Sequence, residues 1–227
     1  AGSVWLLAAS TVFPLHAADE TLQIKSRLIT HFKVGSEETR FGNFEFVGGL
    51  ELSSSSASLG AMSAIRLSDD RRNFLGVMDT GFWYAGRFER GANGALTGVG
   101  DFSISPILDA NGESSNQKWR VDAEGLAMRG DEVLVSFERN NRVDVYPANA
   151  PGSSTPLGSL PLQIPVGELR GNQGLEAIMV APDASPLKGD AVVVSERSLN
   201  AAGDIYAAVL TGPMKGVFFV KRHAPYD

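Results

Sequence analysis

The sequence predicts an all-β fold of the β-propeller type, and three observations carry that prediction. A pattern of apolar strand, polar turn and acid-ended strand recurs three times along the chain. The 25 glycines and 11 prolines are spread over 227 residues, which suits many tight turns between short strands. No long stretch carries the 3.6-residue apolar period of an amphipathic helix.

The first unit runs from Met62 to Phe88 (MSAIRLSDDRRNFLGVMDTGFWYAGRF). The second runs from Asp122 to Tyr146 (DAEGLAMRGDEVLVSFERNNRVDVY) and the third from Leu175 to Leu210. Each opens on Ser or Glu, then Ala or Gly, then Ile or Leu, at Ser63, Glu124 and Glu176. A polar turn follows: SDDRRN, RGDE or APDASPLKGD. The next apolar run ends in an acid, at Asp79, Glu138 and Glu196, and in two units Arg139 or Arg197 comes directly after it. A third strand-like run closes each unit. The spacing of roughly 50–60 residues leaves room for four strands and a loop, the content of a propeller blade. Asn43 to Ser53 (NFEFVGGLELS) alternates at period two and reads as the outer strand of a preceding blade. Leu160 to Val166 (LPLQIPV) reads as a later fourth strand, after an exposed Pro/Ser loop. A β-sandwich of compositionally similar strands is the competing architecture; the fixed order of turn and acid favours the propeller.

Composition bounds the function. The chain is 43% hydrophobic and 20% charged, with a net charge of −6 and no run of Lys or Arg, which argues against nucleic-acid binding. With no Cys there are no disulfides and no thiol catalysis. The motifs H-E-x-x-H, G-x-S-x-G, G-x-G-x-x-G and the phosphate-binding P-loop are all missing. Beyond residue 17 the only histidines are His31 and His223, far apart in sequence. Val4 to Phe13 is apolar and is followed by Pro14 and by Ala17 and Ala18, the pattern of a secretory signal peptide over residues 1–17. The expected mature domain is 18–227, periplasmic or secreted, and nothing in it is long and apolar enough to span a membrane. The chain is expected to begin inside its own signal and to stop before the propeller is complete.

The acids point to a site. In an antiparallel hairpin the start of one strand and the end of the next lie at the same edge. Ser63, Glu124 and Glu176 should therefore gather with Asp79, Glu138 and Glu196 at one mouth of the propeller. Converging carboxylates repel unless a cation lies between them, and hard oxygen ligands favour Ca²⁺ ahead of Mg²⁺ or Mn²⁺. Two alternatives stand at this point: a metal or substrate site, and a solvated acidic rim balanced by Arg139, Arg142 and Arg197.

The stretches FVGGLELS, MSAIRLSDDRRNFLGVMDTGFWYAGRF, DAEGLA with VLVSFERNNRV, and NQGLEAIMVAPD with VVVSER resemble the bacterial phytase-like family, also described as esterase-like phytases. The resemblance runs from about Phe41 to the end. The second unit is also similar to NHL and gluconolactonase-type propeller repeats, in which a Glu placed like Glu124 binds a catalytic divalent metal. The resemblance implies an exported propeller, a Ca²⁺ site and hydrolysis of a small anionic phosphoester or carboxylic ester. On that reading Glu124, Glu176, Asp79, Glu138 and Glu196 are metal ligands, and Arg139 and Arg197 hold anionic oxygens of the substrate. The alternative is a non-catalytic periplasmic propeller that binds a small ligand or a protein partner.

Overall fold

A computed structural model describes residues 20–92 and 94–223. The expected signal peptide, residues 1–17, lies outside them. The strands are β1 (Glu20–Thr21), β2 (Lys25–Ile29), β3 (Arg40–Phe41), β4 (Phe44–Glu45), β5 (Gly49–Ser53), β6 (Met62–Leu67), β7 (Asn73–Met78), β8 (Phe82–Arg90) and β9 (Leu96–Pro106). After a single helical turn, α1 (Lys118–Val121), come β10 (Ala123–Arg129), β11 (Glu132–Phe137), β12 (Arg142–Pro147) and β13 (Gly158–Leu160). The last four are β14 (Leu175–Val180), β15 (Ala191–Leu199), β16 (Ile205–Val209) and β17 (Gly216–Val220).

The fold is all-β, and every strand pairing is antiparallel. Three sheets follow one another along the chain. The first has the order β1-β9-β8-β7-β6, the second β10-β11-β12-β13 and the third β14-β15-β16-β17. Each predicted unit is thus the first three strands of one sheet. The opening strands β6, β10 and β14 are sheet edges, and β10 packs against both of the others. Arg66 in β6 also reaches across to donate to the Ile178 carbonyl in β14, at 3.4 Å. The described residues do not close a ring.

Period-two alternation explains the wholly buried runs in the second sheet. In β11, Val133, Val135 and Phe137 enter a core with Leu75, Val77 and Trp83 of the first sheet. Leu134 points the other way, into a core with Val143, Leu175, Ile178 and Val193 that joins the second sheet to the third. A strand flanked on both faces reads as a continuous apolar run, and each such side chain contributes about 1.5–3 kcal/mol on burial. On the far face of the first sheet, Phe74, Met78, Tyr84, Phe102 and Ile104 pack with Leu22.

Two expected strands take other forms. Residues 43–53 do not make one outer strand: β4 pairs with β3, and β5 pairs with β2, in two separate two-stranded sheets. Gly48, at a φ of 133°, sits between β4 and β5 and breaks the extended run that the alternation suggested. The second sheet does have a fourth strand, but it is Gly158–Leu160; of the predicted 160–166 segment only Leu160 belongs to it. Pro161 and Pro165 lack the N–H that a ladder needs.

Candidate functional site

The site is built by one irregularity repeated three times. Each opening strand skips register at its start: between Met62 and Ala64, between Ala123 and Gly125, and between Leu175 and Ala177. The residues left unpaired are Ser63, Glu124 and Glu176, the three that the sequence repeat aligned. A bulge bends its strand and re-aims the extra side chain out of the ladder. The second strands end equivalently. The N–H of Asp79 donates to the Ala61 carbonyl (3.0 Å), that of Glu138 to Asp122 (2.8 Å) and that of Glu196 to Gly174 (2.8 Å). In each case the acceptor lies two residues before the bulged residue.

This geometry gathers the acids into two triads. Carboxylate oxygens of Asp79, Asp122 and Glu124 lie within 4.8 Å of one another, and so do those of Glu138, Glu176 and Glu196. Each triad joins the acid that ends one sheet's second strand to the bulged Glu of the next sheet. All five predicted metal-ligand candidates are in the triads. The sixth member, Asp122, is carried at the end of α1.

The close approach behind the triads depends on glycine. A Cβ on Gly125 would lie 2.5 Å from Ser136 Oγ, 2.9 Å from the Ile178 nitrogen and 3.1 Å from the Glu176 carbonyl oxygen. Gly174 is equally confined, by Asn141 and the Arg170 carbonyl. Its N–H donates to Glu138 Oε1 at 2.7 Å, while Asn141 Oδ1 accepts from the Leu175 N–H at 3.0 Å.

The electrostatics of the triads differ. In the first, Lys118 Nζ donates to Asp79 Oδ2 and to Asp122 Oδ1, both at 2.6 Å. Arg139 Nε donates to Asp122 Oδ2, also at 2.6 Å. Asp122 is only 1% exposed, so two cations compensate a buried carboxylate. Burial opposes the Lys118 charge, but hydrogen bonds to Asp122 and Asp79 outweigh it and raise the ammonium pKa above its ordinary value. Burial, then the Glu176 and Asp122 carboxylates, push the Glu124 carboxyl up to about 7, while the Ser63 hydroxyl hydrogen-bonded to it pulls the other way. In the second triad no cationic side chain pairs with an acid among the described residues. Burial raises the Glu138 pKa against the N–H groups of Gly174 and Gln173. Burial, then Glu196 and Glu138, raise that of Glu176.

Of the two arginines expected to hold substrate, Arg139 is engaged with Asp122 and with Asn172 Oδ1 (3.0 Å). Its backbone is left-handed, at a φ of 57°, a conformation costly for a non-glycine residue. Arg197 is exposed, and among the described residues its side chain has no hydrogen bond or ion pair. Arg142 does not balance the acid mouth as expected. It donates to Asp144 Oδ2 (2.7 Å) and to the Arg120 carbonyl (2.9 Å), and it lies 3.7 Å over the Phe137 ring. Sequence reasoning missed Lys118. Its signal was the i,i+4 spacing to Asp122, inside a segment that has no counterpart in the other units.

The pattern of the phytase-like family, described as esterase-like activity of phytase, matches residues 57–215. The chain belongs to that family. The phytase-like match spans more than half of the chain, begins after β5 and takes in all six triad acids. Comparison with curated proteins gives no match.

Proposed function

We propose that this phytase-like chain is an exported, metal-dependent hydrolase that acts on phosphoesters or carboxylic esters of small anionic substrates, with Ca²⁺ as the cation. The observation that carries the reading is the second triad. Three carboxylates come within 4.8 Å with no ammonium or guanidinium between them, and two of them have raised pKa values. Two ligand oxygens on one calcium lie at most about 5 Å apart, twice the usual Ca–O distance of roughly 2.3–2.6 Å. Glu138, Glu176 and Glu196 would hold the ion, with Glu124 and Asp79 at the same mouth. A hard divalent cation there would neutralise the charge of a bound ester and polarise its oxygen or a water. Arg197, unpaired among the described residues, and Arg139 Nη1 are suited to anionic substrate oxygens. Three consecutive antiparallel sheets with adjacent opening strands fit successive blades of a propeller, and we place the protein in the periplasm or outside the cell.

One observation favours a second reading, a non-catalytic propeller that binds a ligand or partner. Two acids of the first triad, Asp79 and Asp122, are already paired with Lys118 and Arg139, as in a structural ion-pair network. The two readings separate in an ester and phosphoester panel run with and without Ca²⁺ on the wild type and on Glu176→Gln. The hydrolase reading expects calcium-dependent turnover that falls at least about 100-fold in the variant. Turnover that ignores both calcium and the substitution, or no turnover across the panel, favours the binding protein.

A further inference from the structure

The end of the first sheet away from the acid triads gathers Arg72, Arg87 and Arg90 beside the acids Asp70, Glu89 and Asp101. Asp79 follows one end of β7 and Asn73 begins the other, about 17–20 Å away at the usual strand rise. The SDDRRN turn closes at the Asn73 end and is tightly fixed. Ser68 Oγ donates to Asp70 Oδ1 (2.5 Å), and that same oxygen accepts from the Arg72 N–H (2.9 Å). The Asn73 N–H donates to Ser68 Oγ (3.0 Å), and the Phe88 N–H donates to the Arg72 carbonyl (2.7 Å). Arg72 is thus anchored through its own backbone to the turn and to β8.

Beside this turn, β8 runs on past the end of β7. Arg87 opposes Asn73 in register, and Arg90 lies beyond it, opposite Leu96. Arg72, Arg87 and Arg90 line one open cleft of about 440 Å³, together with Glu89. Among the described residues Arg72 has no side-chain hydrogen bond or ion pair, though the Asp70 carboxylate is near enough to feel its charge, and Arg90 donates to the Gly94 carbonyl (2.9 Å). Arg87 uses Nε on Asp101 Oδ2 (3.2 Å), a pair open to solvent that leaves its terminal nitrogens unbonded. Asp101 is left-handed, at a φ of 53°, where β9 skips register against β8. Glu89 is laid against Gly98 and Gly100, where any Cβ would stand 2.9–3.0 Å from its oxygens.

We propose that this cleft is an anion site, separate from the acid mouth, which takes a multiply charged phosphate- or sulfate-type oxyanion between Arg72, Arg87 and Arg90. Guanidinium groups donate in pairs to such oxygens, and the terminal nitrogens of Arg72 and Arg87 make no hydrogen bond to the nearby Asp70 and Asp101 carboxylates. The volume admits more than a single phosphate group. Two sources share this chemistry, a soluble phosphorylated or sulfated molecule and an anionic lipid headgroup.

The test is calorimetric titration of the full chain with inorganic tripolyphosphate in buffers stripped of divalent metal, so that its outcome does not depend on the acid triads. The wild type should bind at one site. Arg72→Gln/Arg90→Gln, at two exposed positions, should weaken binding at least about 10-fold, as expected for lost charge-assisted hydrogen bonds. Arg27→Gln/Arg40→Gln, where each arginine already pairs with a glutamate, should bind like the wild type. No saturable binding, unchanged binding in Arg72→Gln/Arg90→Gln, or equal loss in both double variants would overturn the site. Sedimentation with phosphatidylglycerol-containing vesicles then assigns the source. Sedimentation lost in Arg72→Gln/Arg90→Gln identifies a headgroup, and tripolyphosphate binding without sedimentation identifies a soluble ligand. Sedimentation that survives the double substitution counts against the cleft.

Discussion

The two acid triads have the same number of carboxylates and opposite electrostatic solutions. In the first, Lys118 and Arg139 hold Asp79 and Asp122, and Glu124 stands beside them with a Ser63 hydrogen bond. Among the described residues Glu138, Glu176 and Glu196 have no ion pair, and Glu138 accepts from the Gly174 N–H. The repeat supplies the acids to both. The difference comes from α1, which brings Lys118 to the first triad and ends at Asp122; among the described residues no cation pairs with the second. Repulsion is offset in the first triad by cations on two of its acids, whereas in the second it is relieved by protonation or by a bound cation.

The largest expected effect removes the centre of the first triad. Asp122→Asn leaves Lys118 and Arg139, 46% and 38% exposed, without their buried partner. We expect a loss of about 2–3 kcal/mol, somewhat below the cost of breaking a fully buried pair because water reaches both cations. Urea unfolding with and without calcium checks it, and the loss should be the same in both.

The next effect acts on the joint behind the second triad. Gly125→Ala places a methyl against the backbone of β14 at Glu176 and Ile178. Overpacking of this kind costs about 1–3 kcal/mol. Displacement of β14 should also weaken cation binding at Glu176, which Asp122→Asn should not do. Equal cation affinity in Gly125→Ala and wild type would show that the joint does not position the triad.

A smaller effect follows from pH. Glu124 is pushed up to about 7, above the ordinary unfolded value near 4.3. The folded state therefore holds the proton more tightly than the unfolded state, so stability of the metal-free protein falls as pH rises from about 4.5 through about 7. Allowing for solvent around the side chain, the change is on the order of 1–2 kcal/mol. The raised pKa values of Glu138 and Glu176 act in the same direction. Glu124→Gln should flatten part of the slope, measured as unfolding free energy between pH 5 and pH 8. A slope unchanged in the variant would remove Glu124 as a contributor.

Much of this comparison was legible in the sequence. The equivalence of Ser63, Glu124 and Glu176 could be read because a bulge that aims a side chain outward needs the same local pattern each time, and the pattern recurs in order. The acid-ended second strands were legible for the same reason, since the backbone bond that ends each one is identical. Lys118 was not legible, because a non-repeating segment leaves no register from which to place it. Arg142, expected among the cations that balance the rim, is instead turned by strand alternation toward Asp144 and Phe137. The outer strand expected at 43–53 failed because alternation cannot show that Gly48 divides it between two pairings.

The smallest expected effect on stability is at Arg197. It is exposed and, among the described residues, unpaired, so Arg197→Ala should change the unfolding free energy by no more than about 0.5 kcal/mol. If the side chain holds an anionic substrate, the same change raises KM. An unchanged KM for every ester that is turned over would take Arg197 out of the site.

The most direct test of the account is calorimetric titration of Ca²⁺ into three forms of the full chain: wild type, Glu176→Gln/Glu196→Gln and Asp79→Asn. The substituted second-triad acids are exposed, so the fold should persist. The account predicts saturable binding to the wild type, loss of that binding in Glu176→Gln/Glu196→Gln and retention in Asp79→Asn, whose carboxylate is already paired with Lys118. No binding to the wild type, or binding that Asp79→Asn abolishes and Glu176→Gln/Glu196→Gln preserves, would contradict it.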